Sequence, residues 1–221
     1  MIDSKAYLTN LITLLQEKFT GRLVYVGLQG SYLRGEANEN SDIDVMVVID
    51  QLSMEDLDDY RAIIEELPFW EKSCGFICSC DDLAKWNPLE ICHLLHSTKD
   101  YVGNLSELVP AYTKEDVRNF VKLNVNNLYH TICHCYIHER TNHNSETLSM
   151  IYKSVFYILQ NLYYLKNDRF VTTQTELLSL LTASDFFMLK RSMEINQEIE
   201  HDFFESISLL FSWCQEKIKE I

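Results

Sequence analysis

Two carboxylates, Asp42 and Asp44, flank a single Ile43 and follow Gly30-Ser31 after a gap of ten residues. Residues two apart at the head of a strand point to the same face, so both acids can address one ligand. Paired carboxylates form a hard-oxygen site of the kind Mg²⁺ prefers. Gly30 and Gly35 let the backbone turn tightly and approach a ligand without an obstructing Cβ. Ser31 adds a hydroxyl and a backbone N–H suited to phosphate oxygens. A metal shared between carboxylates and a triphosphate would neutralise charge on the transferring phosphorus, leaving positioning and electrostatics to supply most of the rate.

Other reactive residue types have plainer readings. His130, His134 and His138 recur every four residues on a predicted helix, beside Cys133 and Cys135. Three ligands along one straight helix span about 12 Å, too far for a single tetrahedral Zn²⁺. A pair would need further ligands from elsewhere, so a partly exposed helix face or a substrate cleft is the reading taken. Cys74, Cys78 and Cys80 match no zinc-ribbon spacing and are read as buried, same-sided residues of one strand. The aromatic run through Phe156, Tyr157, Tyr163 and Tyr164, with Phe186, Phe187, Phe203, Phe204 and Phe211, reads mainly as helix-packing core. The acidic run over 194–205, including Glu198, Glu200, Asp202 and Glu205, reads as a solvated helix face.

The elements that must position Asp42 and Asp44 can be traced from periodicity. Leu8, Leu11, Ile12, Leu15 and Phe19 recur at helical spacing over 3–19, with Asp3 or Ser4 as cap. Short apolar runs at 23–28, 44–50 and 74–79 read as strands, the second apolar on both faces and so interior to a sheet. Residues 30–41 read as a polar loop or short helix, and 53–67 as a helix capped by Ser53. From Leu83 the pattern turns helical, over 81–97, 113–139, 145–166, 173–180 and 184–219, with a polar loop at 138–145. The expected architecture is an α/β (α+β) core with a mixed sheet over 1–109, then an all-α helical bundle over 110–221 that binds substrate, with Val109-Pro110 as the boundary.

Bulk properties narrow the function classes. The 221 residues carry a formal net charge of −14 and no clustered Lys/Arg block, which argues against nucleic acid as the main partner. The acidic balance suits a cationic small molecule and equally suits simple solubility. No apolar run approaches the ~20 residues of a membrane span. Seven cysteines, an odd number, with no secretory segment at Met1-Ile2-Asp3-Ser4-Lys5, fit free thiols in the cytoplasm.

The pattern Gly30-Ser31, ten residues, Asp42-Ile43-Asp44 resembles the signature of the nucleotidyltransferase superfamily related to DNA polymerase β, in the branch of minimal nucleotidyltransferases and aminoglycoside adenylyltransferases. The core likeness spans residues 23–80, and 152–177 resembles the substrate-domain helices of streptomycin/spectinomycin-type adenylyltransferases. The resemblance implies that Asp42 and Asp44 bind metal and act in catalysis, while Gly30 and Ser31 contact the triphosphate. It also implies a third carboxylate on a later strand, where this chain has 74–79 without an acid; Glu71, Asp81, Asp82 and Glu90 lie nearby. Lacking a base, the acceptor would lose its proton to water or substrate, at a cost of about 10²–10⁴ in rate. The expected reaction is Mg²⁺-dependent transfer of a nucleoside monophosphate, AMP from ATP, to a hydroxyl of a small molecule such as an aminoglycoside. The alternatives are protein adenylylation of the antitoxin type, and a catalytically degenerate protein that binds nucleotide or a partner.

Overall fold

A computed structural model describes residues 2–138, 145–196 and 202–221. The chain divides into two compact units, residues 1–112 and 113–221.

The first unit opens with α1 (Ser4–Lys18), started by Asp3, whose carboxylate accepts from the Lys5 and Ala6 N–H groups. Its Tyr7, Leu8, Leu11 and Leu15 are buried, the stripe expected from their three- and four-residue spacing. Next come β1 (Leu23–Leu28), the short helix α2 (Gly30–Arg34), β2 (Ile43–Ile49) and α3 (Met54–Glu65). A 3₁₀ turn at Trp70–Lys72 leads into β3 (Ser73–Ser79). Then α4 (Cys80–Ala84), α5 (Pro88–His96) and β4 (Lys99–Val102) complete the unit's regular elements, with a further 3₁₀ turn at Leu105–Glu107.

The sheet runs β3-β2-β1-β4. The central pair β1/β2 and the pair β1/β4 are antiparallel, whereas β2 and β3 are parallel, joined through α3. This is the mixed sheet expected, enlarged by β4. Side chains of β2 alternate between two cores. Ile43, Val45, Val47 and Ile49 pack with the apolar stripe of α1 and with Ile63 of α3. Met46 and Val48 pack on the other face with Tyr25, Cys78 and Leu83. A strand buried on both faces reads as an unbroken apolar run, which is why β2 was visible in the sequence.

Two expectations are corrected in this unit. The helix expected over 81–97 is two helices: the residue before Pro88 is disfavoured in the α region, and Asn87 instead caps α5 by accepting from the Leu89 N–H. The three cysteines do not share one buried strand face. Cys78 is buried, but Cys80 opens α4 and Cys74 is exposed.

The second unit is helical: α6 (Lys114–His138), α7 (Ser145–Asn167), α8 (Gln174–Leu180), α9 (Ala183–Asn196) and α10 (Phe203–Glu220). The stretch expected as one helix over 184–219 is two, because Asp202 caps a new start by accepting from the Glu205 N–H. Glu198 and Glu200 of the acidic run lie outside the described residues, and Glu205 pairs with Arg191. The core joins Val121, Val125, Leu128 and Ile132 of α6 to Tyr152, Val155 and Leu159 of α7 and to Leu210 and Trp213 of α10. Tyr152 donates to the Ser206 carbonyl at 2.7 Å, tying α7 to α10. Phe156 and Phe203 are core residues, whereas Phe187 and Phe204 are exposed. Among the described residues, no helix is long and apolar enough to cross a membrane.

Candidate active site

The acids singled out from the sequence sit at the N-terminal end of β2. Asp42 immediately precedes the strand and is exposed; Asp44 is its second residue and is half-buried. Asp44 belongs to the Met46/Val48 face, since its neighbours Ile43 and Val45 point into the opposite core. Asp42 forms no hydrogen bond or ion pair with another described residue. An exposed carboxylate left to solvent is available to a ligand.

Gly30 explains how Asp44 fits. Its φ of 68° is one that L side chains rarely adopt, and a Cβ there would lie 1.8 Å from Asp44 Oδ2. The start of α2 is thus laid against the Asp44 carboxylate in space only glycine leaves open. The adjoining Gln29 N–H donates to the Asp44 carbonyl at 2.9 Å, which fixes α2 to β2. The Gln29 side chain does not cap α2; its Nε2 donates to Thr98 Oγ1 at 2.8 Å, at the edge of β4. Ser31 lies on the first turn of α2 and is half-buried. Gly30, Ser31 and Asp44 are therefore held together by local geometry, with Asp42 at the open rim.

The neighbouring strand contributes what the sequence reading overlooked. Parallel pairing sets Cys74 directly opposite Asp44. Cys74 lies on the same face as Asp44, because Ser73 and Ile77 belong to the other one: Ile77 packs in the α1 core, and Ser73 Oγ meets the Tyr7 hydroxyl at 2.6 Å. The Asp44 carboxylate is close enough to the thiol to favour its protonated form. Desolvation of its sulfur first, and the Asp44 charge next, push the thiol pKa above its usual value, with Asp42 adding to the effect. The strands approach closely here. Gly75 has a φ of 114°, and a Cβ on it would stand 2.1 Å from the Val45 carbonyl oxygen. The signal was the register itself, since pairing Ile43 with Ser73 puts a cysteine opposite Asp44 on the strand where the resemblance implies an acid.

The four acids near the empty strand position separate by location. Asp81 and Asp82 follow the C-terminal end of β3, about 15 Å or more along the sheet from Cys74. Asp82 is also engaged in capping α4 with Ser79. Glu90 accepts from the Trp86 indole at 2.6 Å. Glu71, in the turn before β3, lies at the same end of the sheet as Asp42 and is exposed.

Farther around this end, Arg34 and Glu36 form an ion pair at 2.9 Å with side chains 13% and 22% exposed, so the charge at the end of α2 is largely neutralised. Half-buried His93 of α5 has its pKa lowered to about 4 by burial, then by the Arg34 charge and His96, and is neutral at pH 7.

The donor set suits a hard divalent cation. It offers carboxylate oxygens, one of them without a protein partner, and a glycine-lined recess beside the other. Among the described residues, no group of three or more His, Cys, Asp or Glu side chains is placed to hold a metal. An ion that keeps several waters and is completed by substrate phosphates needs only one or two protein carboxylates, which is the habit of Mg²⁺. His130, His134 and His138 are exposed along α6, with ring centroids 6.5 Å and 5.1 Å apart in succession.

The opposite end of β2 contrasts with this. A surface cavity of about 460 Å³ is lined there by Arg22, Gln51, Leu52, Ser53, Glu55, Asp56 and Asp59. Arg22 bonds Asp50 at 2.9 Å and Asp56 at 2.7 Å, and Lys18 pairs with Asp59. Asp50, Asp56 and Asp59 are already answered from within the protein.

Residues 8–73 match the family described as nucleotidyltransferase domain, from α1 to the first residue of β3. No curated protein matches the sequence. Among solved structures, the chain is similar to spectinomycin adenyltransferase AAD(9) from Enterococcus faecialis, crystallised with ATP and spectinomycin. The identity is 13%, the TM-score 0.61, and the alignment covers 97% of this chain and 99% of that one. At that identity the likeness establishes a shared fold, across both the mixed-sheet core and the helical region. The resemblance expected from the Gly-Ser and Asp-Ile-Asp pattern is borne out, with residues 8–73 matching the nucleotidyltransferase domain.

Proposed function

We propose that this protein transfers a nucleoside monophosphate, AMP from ATP, to a hydroxyl of a small molecule such as an aminoglycoside. The observation that carries this reading is Asp42 and Asp44 at one end of β2, with the glycine of Gly30-Ser31 laid against the Asp44 carboxylate. Asp42 and Asp44 would hold Mg²⁺, which when bound supplies charge neutralisation on the triphosphate and the departing pyrophosphate. Gly30 and Ser31 would bind triphosphate oxygens. The acceptor oxygen forms its bond to the α-phosphorus as the bond from that phosphorus to the bridging oxygen of the β-phosphate breaks. Pyrophosphate leaves, and the acceptor proton passes to water or to a basic group of the acceptor, since the β3 residue paired with Asp44 is Cys74 and not an acid. The net charge of −14 is compatible with a cationic acceptor.

The test is pyrophosphate release with ATP, Mg²⁺ and a panel of aminoglycosides. Acceptor-dependent release is the expected result. Adenylate labelling of protein in a lysate, with no small-molecule acceptor active, would replace the acceptor class with protein. A second reading, nucleotide binding without transfer, is favoured by the thiol at the third-strand position. ATP-dependent stabilisation with no turnover on any acceptor is the result that would establish it.

A further inference from the structure

We propose that Cys74 is a positioning residue for Asp44, its thiol orienting the carboxylate from β3 so that two acids suffice to bind the metal–nucleotide complex. The inference rests on the metal–triphosphate reading above and extends it to a residue outside the matched segment 8–73.

Three observations combine. The register pairs Cys74 with Asp44 on parallel strands, and the two share a face. The Asp44 carboxylate is close enough to the thiol to favour its protonated form. Gly30 lies against the same carboxylate, where even a Cβ would meet Asp44 Oδ2 at 1.8 Å. Asp44 thus lies against the α2 backbone and beside the Cys74 thiol. A carboxylate has about four lone-pair sites, so one can accept from the thiol while others face a cation. Outer partners of this kind fix the orientation of a ligating group, and their loss typically weakens metal binding about 10–100-fold. A third acid at this position would be a ligand or a base. A thiol donor instead stiffens an acid already present without adding negative charge.

The experiment is Mn²⁺ binding to the full chain in the presence of ATP, followed by electron paramagnetic resonance of free Mn²⁺. Cys74→Ala should weaken binding about 10–100-fold. Cys74→Ser, which keeps a donor, should stay within about threefold of the unaltered protein. Thermal melting of both variants, with Cys74 exposed, checks that the fold is intact. Equal affinity of Cys74→Ala and the unaltered protein would overturn the proposal while leaving the metal site standing. No Mn²⁺ binding by the unaltered protein would overturn both, and Asp42→Asn then serves as the blank. Substitution of Co²⁺ supplies a second readout: thiolate-to-metal charge transfer, lost in Cys74→Ser, would make Cys74 a direct ligand and overturn the positioning role.

Discussion

Strand β2 is bracketed by acids, Asp42 before it and Asp50 after it, and the two ends use them in opposite ways. At the C-terminal end, Arg22 reaches Asp50, Asp56 and the Gln51 carbonyl, while Ser53 and Asp56 complete a capping box for α3. The Asp56 carboxyl is held well below the usual carboxylate range, by Arg22 first and Ser53 next. Asp50 is lowered by the Gln51 N–H first and then by Arg22. At the N-terminal end, about 20 Å away, no described cation pairs with Asp42, and Asp44 is flanked by a glycine and a thiol. Acids answered from within the chain hold the fold together. Acids left facing solvent or a weak donor are suited to something from outside, so the count of carboxylates matters less than what already faces them.

The strongest way to break this contrast is to neutralise each end in turn. Asp42→Asn with Asp44→Asn should abolish Mg²⁺-dependent ATP binding, a loss of about 100-fold or more by calorimetry, with melting little changed. Unchanged affinity would sink the assignment. Gly30→Ala comes next: its Cβ would meet Asp44 Oδ2 in a backbone conformation unfavourable to alanine. Nucleotide affinity should fall about 10–100-fold, and retention of full affinity would show that α2 need not lie against Asp44. Arg22→Gln at the other end should do the reverse, lowering Tm by several degrees while leaving ATP affinity within about twofold. An equal loss of binding would dissolve the distinction between the two ends.

The smallest effect is in pH dependence. An unfolded histidine titrates near 6.5, while folded His93 titrates at about 4. The unfolded chain therefore holds the extra proton between those values. This contribution to stability is complete above pH 6.5 and drains away as pH falls toward 4. Asp56, depressed below its ordinary 3.8, contributes fully above that value and loses its contribution only at lower pH. Thermal melts across pH should show His93→Gln flattening the decline between 6.5 and 4, with Arg22→Gln acting below it. A decline unaffected by His93→Gln would assign it to other groups.

Most of the first unit was legible because its signals are local. The stripe of α1, the apolar run of β1 and the two-sided burial of β2 all leave a period in the sequence. The edge strand β4 left none: Lys99-Asp100-Tyr101-Val102 is short and mostly exposed, and it is a strand because it pairs with β1. Pro88 did mark the break between α4 and α5, and the helical period around it masked that signal. In the site, Asp42 and Asp44 were legible from their spacing, whereas Cys74 was not. Its relation to Asp44 spans thirty residues and depends on the register of two parallel strands, which no local pattern encodes.

The alternation of β2 between two cores also bears on how such a site can change over evolutionary time. Because Ile43, Val45, Val47 and Ile49 are committed to one core and Met46 and Val48 to the other, inserting or deleting one residue within the strand would turn both cores inside out. Asp44 is therefore anchored in sequence space by its apolar neighbours more than by its own chemistry. The exposed stretch 38–40 carries no such constraint, and neither does the exposed position of Cys74. A lineage can exchange an acid for a thiol beside Asp44 and lengthen the loop before it, yet it cannot slide Asp44 along its strand.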